Sequence, residues 1–334
     1  MKKNLTPLTT PLLWLALACS QAPEDSSSEA TTGSTGAVTG TSASAGESSS
    51  STGDTSADTS AAETEANETE DSPAADGEPC VADLDCLSRL CLKYRDYDPQ
   101  ATCVAAPEGA RFRLTGTVLD IATGAPLGEV ELRALDGLTA LQNPHSAPVL
   151  LAATADSEGR VDTVSDEPIA PGIGLVGLVV GDGVTPTSSV LAVPLPNGSY
   201  GRTNTFHDLW VVQTPLLDAW SALLQADPDA APHLPLGTAG GVLGLVRESS
   251  TGSTVAGAVV TPLEPPSSAV IRYLNAARDG FQSDGTAEHG LFVLLHPGVG
   301  ERFVIEQDGT ALESTQGQAR DAPGSISTLV LEVP

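Results

Sequence analysis

Cysteine is the residue type whose spacing says most about chemistry in this sequence. Four cysteines, Cys80, Cys86, Cys91 and Cys103, follow the pattern C-x5-C-x4-C-x11-C, and Cys19 stands alone after an apolar run. Thiols can ligate zinc, but zinc sites usually contain a C-x2-C pair, and this pattern has none. A dense, even set of cysteines in an exported protein forms disulfides instead. The pattern therefore predicts two disulfides and no metal site.

The segment 80–104 is predicted to be a small disulfide-rich module, because it has too few apolar residues for a core of its own. Four cysteines allow three pairings, and we expect Cys80 with Cys91 and Cys86 with Cys103. The segment resembles the small C…D.DC…C……C modules of bacterial surface proteins, whose roles are mostly unassigned. Its YRDY stretch is either a contact surface or an exposed loop.

The first 18 residues have the pattern of a signal peptide: two lysines, an apolar run, and small residues before Cys19. The apolar run is too short to span a bilayer, which needs about 20 residues. The stretch ALACS resembles the lipobox of bacterial lipoproteins, although Ala and Leu stand where the usual box has Leu and a small residue. The resemblance implies lipidation of Cys19 after removal of 1–18 and, with Ser20 next, sorting to the outer membrane. The alternative is an ordinary secretory signal with an incidental Cys19.

Residues 20–79 contain no Lys, no Arg and no aromatic residue, and 13 of them are acidic. A Ser-, Thr- and Gly-rich acidic chain cannot bury enough apolar surface to offset its ordering entropy, so we expect a disordered linker. It would act as a membrane tether or a glycosylated stalk. The net charge of −28 argues against nucleic-acid binding, which needs a basic patch.

The sequence after residue 111 repeats itself. The stretch FRLTGTVLDIATGAPLGEVELRAL is matched by GVLGLVRESSTGSTVAGAVVTPLE, with Gly116 opposite Gly244 at an offset of 128. The same offset places Asp156 opposite Asp284. Alternating apolar residues around a Thr-Gly turn predict β-strands. We therefore expect two copies of one β-domain.

These motifs resemble the carboxypeptidase regulatory-like domain over residues 112–200 and 240–333, and the resemblance implies prealbumin-like sandwiches. We expect an all-β fold of two tandem prealbumin/Ig-like β-sandwiches joined by a short amphipathic helix. The expected boundaries are 110–202 and 238–334 for the sandwiches, and 203–237 for a connector with a helix near 215–226. Thr214 is the expected N-cap, and Trp220 is expected to pack in a core.

The five histidines, His145, His207, His233, His289 and His296, show no metal-ligand spacing. Asp182 with Gly183, and Asp227 with Asp229, hint at calcium but lack an EF-type loop. Tyr200 with His207 does not complete the iron site of prealbumin-like dioxygenases. We expect no catalytic residue, no cofactor and no metal.

The sequence thus predicts an exported, lipid-anchored protein of the outer membrane or cell surface, without catalytic activity. Its sandwiches would bind or adhere to an extracellular protein or glycan. A structural spacer of the envelope is the alternative, and a metal-dependent prealbumin-like enzyme ranks lower.

Overall fold

The computed structural model describes residues 72–105, 111–170, 172–192, 208–307 and 309–334. The predicted signal peptide, Cys19 and the predicted linker as far as residue 71 lie outside these ranges, as do Tyr200 and His207. Within the described part of the chain, no helix has the length and apolar content needed to cross a membrane.

The cysteine module consists mostly of turns. It has one turn of 3-10 helix at Asp83–Asp85 and a two-stranded antiparallel sheet of β1 (Cys91–Leu92) and β2 (Thr102–Cys103). Its small core is formed by the cysteine side chains with Ala101, and Ala74 packs against it. So little apolar surface cannot hold a fold alone, which leaves the disulfides as the main constraint. The predicted boundary at residue 79 was wrong, because Ala74 and Gly77, expected in the disordered linker, hydrogen-bond to the module.

The first sandwich has two sheets facing each other across an apolar core. One sheet has the order β6-β3-β10-β8 and the other the order β9-β7-β4-β5. A short helix, α1 (Gly137–Gln142), packs on the outer face of β4 and β7. The strands are β3 (Arg113–Asp120), β4 (Glu131–Asp136), β5 (Val149–Thr154), β6 (Arg160–Val164), β7 (Leu175–Val180), β8 (Val184–Thr185), β9 (Thr187–Ala192) and β10 (Asp208–Gln213).

The second sandwich repeats this plan with the sheet orders β14-β13-β15-β11-β18 and β12-β16-β17. Its core contains the large rings of Tyr273, Phe292 and Phe303. The strands are β11 (Val242–Glu248), β12 (Val259–Pro262), β13 (Val270–Leu274), β14 (Phe281–Gln282), β15 (Leu291–Leu295), β16 (Arg302–Gln307), β17 (Thr310–Gln318) and β18 (Ile326–Val333).

The predicted helix is present as α2 (Thr214–Leu224) and forms a third layer over the second sandwich. Its Leu217, Trp220 and Leu224 are buried against the outward side chains of β11 and β15. Both faces of those two strands are therefore buried, which explains their continuous apolar runs. The N-cap prediction was wrong by one residue, because Thr214 lies in the helix and its hydroxyl lies 3.2 Å from that of Thr185.

Two features of the junction differ from the sequence expectation. The segment 203–237, expected to be a connector, contains strand β10, which pairs in parallel with β3 and belongs to the first sandwich. In addition, β9 pairs in parallel with β18, with Thr187 opposite Ile326 and Ser188 opposite Ser327. This pairing merges one sheet from each sandwich into a single nine-stranded sheet. Pairing between distant strands leaves no local sequence signal.

Backbone hydrogen bonds in the first motif of one copy recur in the other copy, 128 residues further along the chain. The Leu127 amide donates to the Val118 carbonyl, as the Val255 amide does to the Val246 carbonyl. Further along the chain the offset changes, because the Val118 and Val246 amides donate to Gly159 and Gly290, which are 131 positions apart.

The alignment of Asp156 with Asp284 was therefore wrong, since the offset of 131 places Asp156 opposite Ala287. The Asp156 carboxylate accepts the amides of Glu158 and Arg160 and holds a tight turn. Three extra residues between the two motifs of the second copy shift the alignment at this point.

Candidate functional site

The module contains two disulfides, Cys80–Cys91 and Cys86–Cys103. This pairing is the one expected from the sequence. The sulfur atoms of Cys80, Cys86 and Cys91 lie within 4.8 Å of one another because the two bonds are neighbours. Sulfur already bonded to sulfur is not a thiolate, the form that ligates metals.

The two aspartates of the D.DC motif fold the module. The Asp85 carboxylate accepts the amides of Val81 and Ala82, both at 2.8 Å, and Asp83 accepts the Cys91 amide at 2.8 Å. The amides of Ala82 and Val81 hold the pKa of Asp85 below its usual value. These carboxylates therefore act as local caps for backbone donors.

The YRDY stretch is a contact surface, and its partners lie within the same chain. We call Tyr94, Arg95, Asp96 and Tyr97 the clasp. The Tyr94 hydroxyl donates to Asp162 of the first sandwich at 3.0 Å, and the Tyr94 carbonyl accepts from the Thr117 hydroxyl at 2.7 Å. Burial, and then Asp162, raise the pKa of Tyr94.

The middle of the clasp enters a buried cluster of charges. Arg95 donates to Asp208 at 2.6 Å, and Arg247 reaches Asp208 at 3.2 Å, Asp96 at 2.7 Å and Glu332 at 2.7 Å. The Arg247 and Asp208 side chains are 7% and 4% exposed. Arg247 thus links the module, the first sandwich and its own strand partner, and its loss would leave carboxylates buried with fewer partners.

The pKa values in the cluster follow from this burial. Burial, and then the charge of Asp96, raise the pKa of Asp208, while Arg95 and Arg247 act in the opposite direction. Burial by itself would lower the pKa of Arg247, but Asp96 and Glu332 outweigh it and raise that pKa. Arg247 is therefore fully charged at any physiological pH.

The second tyrosine of the clasp lies on the second sandwich. The Tyr97 hydroxyl lies 3.0 Å from the Ser249 carbonyl and 3.2 Å from Glu332, and the Arg247 guanidinium lies 4.9 Å from the ring centroid. A Cβ on Gly252 would lie 2.5 Å from the Tyr97 ring, so the turn needs glycine for this contact. Burial is the main reason that the pKa of Tyr97 rises to about 12.

A cleft of about 600 Å³ opens where the module and both sandwiches meet, and we call it the junction cleft. Its lining mixes apolar, aromatic, cationic and acidic side chains from all three parts, among them Arg95, Tyr97, Ile121, Asp208, Trp210, Leu245, Arg247, Arg278, Glu288 and His289. Mixed apolar and polar lining of this kind is typical of ligand sites.

The junction cleft contains polar groups that have no partner among the described residues. Among the described residues, Arg278 forms no ion pair, and the indole nitrogen of Trp210 is buried without a hydrogen-bond partner. The backbone of Arg278 has a positive φ of 59°, and its carbonyl accepts the Trp220 indole N–H at 3.2 Å. This contact fixes the position of Arg278 at the edge of the cleft.

His289 has a structural role. Its Nδ1 accepts the Leu291 amide at 3.1 Å, so its Nε2 carries the proton and donates to the Asn275 carbonyl at 2.9 Å. Both ring nitrogens are therefore engaged by backbone. This arrangement gives His289 no free nitrogen for a metal or a substrate.

Several other sequence candidates within the described residues lie in structural contacts, while Asp182 is exposed. The His145 ring nitrogen lies 2.8 Å from the Gly324 carbonyl, and the rings of His233 and His296 stack at 4.4 Å. Asp227, considered for calcium, pairs with Arg272 at 2.5 Å, and this arginine lowers the pKa of Asp227.

The residues at the centre of the junction were missed by sequence reasoning. Arg247, Asp208 and Glu332 are far apart in the chain. One signal was available, because Arg247 stands at the repeat position that Leu119 holds in the first copy. A charge at a buried strand position needs a buried partner.

Comparisons with known proteins show no family match: neither a family model nor a curated protein matches this chain. Among solved structures, the shaft pilin SpaA from Lactobacillus rhamnosus GG is 11% identical over 67% of this chain and 97% of the pilin, with a TM-score of 0.19. The Bacillus anthracis TIE protein is 10% identical over 67% of this chain and 34% of its own, with a TM-score of 0.22.

Catechol 1,2-dioxygenase from Acinetobacter sp. ADP1 is 14% identical over 32% of this chain and 54% of the enzyme, with a TM-score of 0.21. The chain therefore spans about half the length of that enzyme. TM-scores this low support no inference about function.

Proposed function

We propose that this protein is exported, anchored by lipid at Cys19 to the outer membrane or cell surface, and non-catalytic. Its module and two sandwiches bind an extracellular protein or glycan in the junction cleft. The signal pattern and the lipobox-like ALACS stretch support the anchor. The two disulfides support export, because such bonds persist in oxidising compartments.

The junction cleft is the observation that carries the binding proposal. The whole chain has 15 Lys and Arg residues against 43 Asp and Glu. Three of those 15, Arg95, Arg247 and Arg278, nevertheless line one cleft. Arg95 and Arg247 already pair with Asp208, so Arg278 is the arginine of this lining left for a ligand, and Glu288 lines the cleft as well. Beside Tyr97 and Trp210, Arg278 suits a partner that brings a carboxylate and an apolar or ring surface.

A spacer is the second candidate, and the nine-stranded sheet favours it. Pairing of β9 with β18 makes both sandwiches share one hydrogen-bonded sheet. A continuous sheet resists bending at the junction and would hold the two sandwiches in a fixed orientation at the end of a tether. A spacer needs no occupied cleft, so occupancy of the cleft separates the two functions.

The anchor is tested by intact mass and N-terminal peptide mapping of protein made in its native host. We expect a diacyl or triacyl adduct on Cys19, residues 1–18 removed, and the four other cysteines oxidised. Cys19→Ser is the control and should lose the adduct and membrane retention. An unlipidated terminus near Ala18 in the wild type would contradict the anchor.

Binding is tested by photo-crosslinking in host cells. A photoreactive residue at Ala276, which is exposed and lines the junction cleft, is compared with one at Val299, which is 84% exposed and lies outside the lining. We expect a defined adduct from position 276 that Arg278→Ala weakens, and none from position 299. Equal labelling from both positions, or none from either, would favour the spacer.

A further inference from the structure

Strand β5 forms one edge of the nine-stranded sheet and pairs with β4, while no described strand pairs with its other side. An unpaired edge presents a row of backbone donors and acceptors that can accept another strand. Natural proteins usually protect such edges with charges, proline or short strands. The opposite edge of this sheet is protected, because β14 has two residues and lies between Asp279 and Asp284.

Within Val149–Thr154, strand β5 contains no charged residue and no proline, and Pro148 directly precedes it. Its sequence, VLLAAT, is six residues long, and no Asp, Glu, Lys or Arg occurs between Gly137 and Ala155. The whole chain carries a net charge of −28. Two identical copies would repel each other across most of their acidic surface, and this edge avoids the repulsion.

An exposed apolar patch surrounds the same edge. Leu138, Val149, Leu150 and Ile173 are 58%, 50%, 40% and 40% exposed. Backbone bonds bring them close, because the Asp136 amide donates to the Pro148 carbonyl and the Gly137 amide donates to the Gly174 carbonyl. Apolar surface gathered at an open sheet edge indicates an interaction site.

We propose that β5 pairs antiparallel with β5 of a second copy, so that two chains share one extended sheet. Opposite residues must lie on the same face of that sheet. Leu151 and Ala153 pack toward the core, while Ala152 and Thr154 are exposed. A two-fold axis at Ala152 therefore sets Leu151 opposite Ala153 and Leu150 opposite Thr154, keeping core-facing and solvent-facing residues matched.

This geometry places the two copies of Ala152 directly opposite each other, with Cβ atoms about 5 Å apart. Ala152 is exposed, so a charge there is compatible with the folded monomer. Ala152→Lys and Ala152→Glu should each bring like charges together and prevent pairing. A mixture of the two variants should pair again as a heterodimer.

The test is molar mass by light scattering over a concentration series, with the full chain carrying Cys19→Ser to remove the lipid. We expect twice the mass of one chain for this protein, loss of the dimer in both charge variants, and its recovery on mixing them. The matched control is Val164→Lys, at a position that is 37% exposed on the charged edge strand β6. This variant should stay dimeric. A monomer at every concentration, or a dimer that survives Ala152→Lys, would overturn the proposal.

Discussion

The first and second sandwiches place their third strand in different sheets. In the first, β5 lies beside β4, whereas in the second, β13 lies beside β15, in the opposite sheet. In the second copy the Tyr273 hydroxyl accepts the Val260 amide at 2.7 Å and lies 3.3 Å from the Val260 carbonyl, across the core. Strand β5 offers Leu and Ala at its core-facing positions and has no such link. The Tyr273 hydroxyl thus bonds backbone groups of β12 that a paired strand would otherwise use.

Differences between the two copies also explain why the cysteine module packs against the second copy at Arg247 and Gly252. Leu119 is fully buried in the first copy, while its repeat partner Arg247 is 6% exposed and gathers the charges of the clasp. The following turns differ too, because a Cβ on Gly124 would meet nothing within 4 Å whereas a Cβ on Gly252 would meet Tyr97. The second copy thus has the repeat fold and uses this surface as an interface with the module.

Trp220→Ala should cause the largest loss of folding stability, and it would show how strongly the second sandwich depends on the packing of α2. Trp220 is 1% exposed, and loss of a buried Trp costs about 3–5 kcal/mol. Leu223→Ala is the matched control on the same helix, since Leu223 is 43% exposed and should change stability by about 0.5 kcal/mol at most. Denaturant unfolding measures both. Equal effects would contradict the packing of α2.

Arg247→Leu introduces the residue type that the first copy has at this position. It should lower the free energy of unfolding by about 3 kcal/mol, because Asp96 and Asp208 lose a buried partner. The module should also become sensitive to protease. Arg133→Leu removes an ion pair whose side chains are 39% and 38% exposed, and should cost about 1 kcal/mol or less. A stability for Arg247→Leu equal to wild type would show that the clasp does not hold the module.

Gly252→Ala compared with Gly124→Ala isolates the contact with Tyr97. The two glycines have φ values of 71° and 69°, so both variants suffer the same backbone strain of about 1–2 kcal/mol. Gly252→Ala should lose about 1–3 kcal/mol more, because the new methyl group overlaps the Tyr97 ring. Chemical denaturation of the pair gives the difference, and identical values would contradict the contact.

Raising the pH should change the folding stability least. The pKa of Tyr97 is raised from 10.0 to about 12, so the folded state holds this proton more tightly than the unfolded chain does. Its stabilising contribution is complete below pH 10 and is lost as the pH rises through about 12. Stability should therefore fall less steeply above pH 10 in Tyr97→Phe than in wild type. Parallel curves would contradict the burial of the phenol.

The sequence was informative where the signal was local. Turn residues, alternating apolar positions and cysteine spacing predicted the all-β fold, the helix near 215–226 and the two disulfides. It failed where partners are distant in the chain, since the pairing of β9 with β18 and the contacts of Arg247 with Asp96, Asp208 and Glu332 join remote segments. The junction cleft exists because of those contacts, so it could not be predicted.

The clasp and Arg247 connect the module to both sandwiches, so we expect the three parts to unfold as one unit. Calorimetric unfolding of the full chain tests it most directly, by comparing the calorimetric enthalpy with the van't Hoff enthalpy. We expect one transition with a ratio of about 1. Separate transitions for the two sandwiches, with a ratio well above that value, would contradict it.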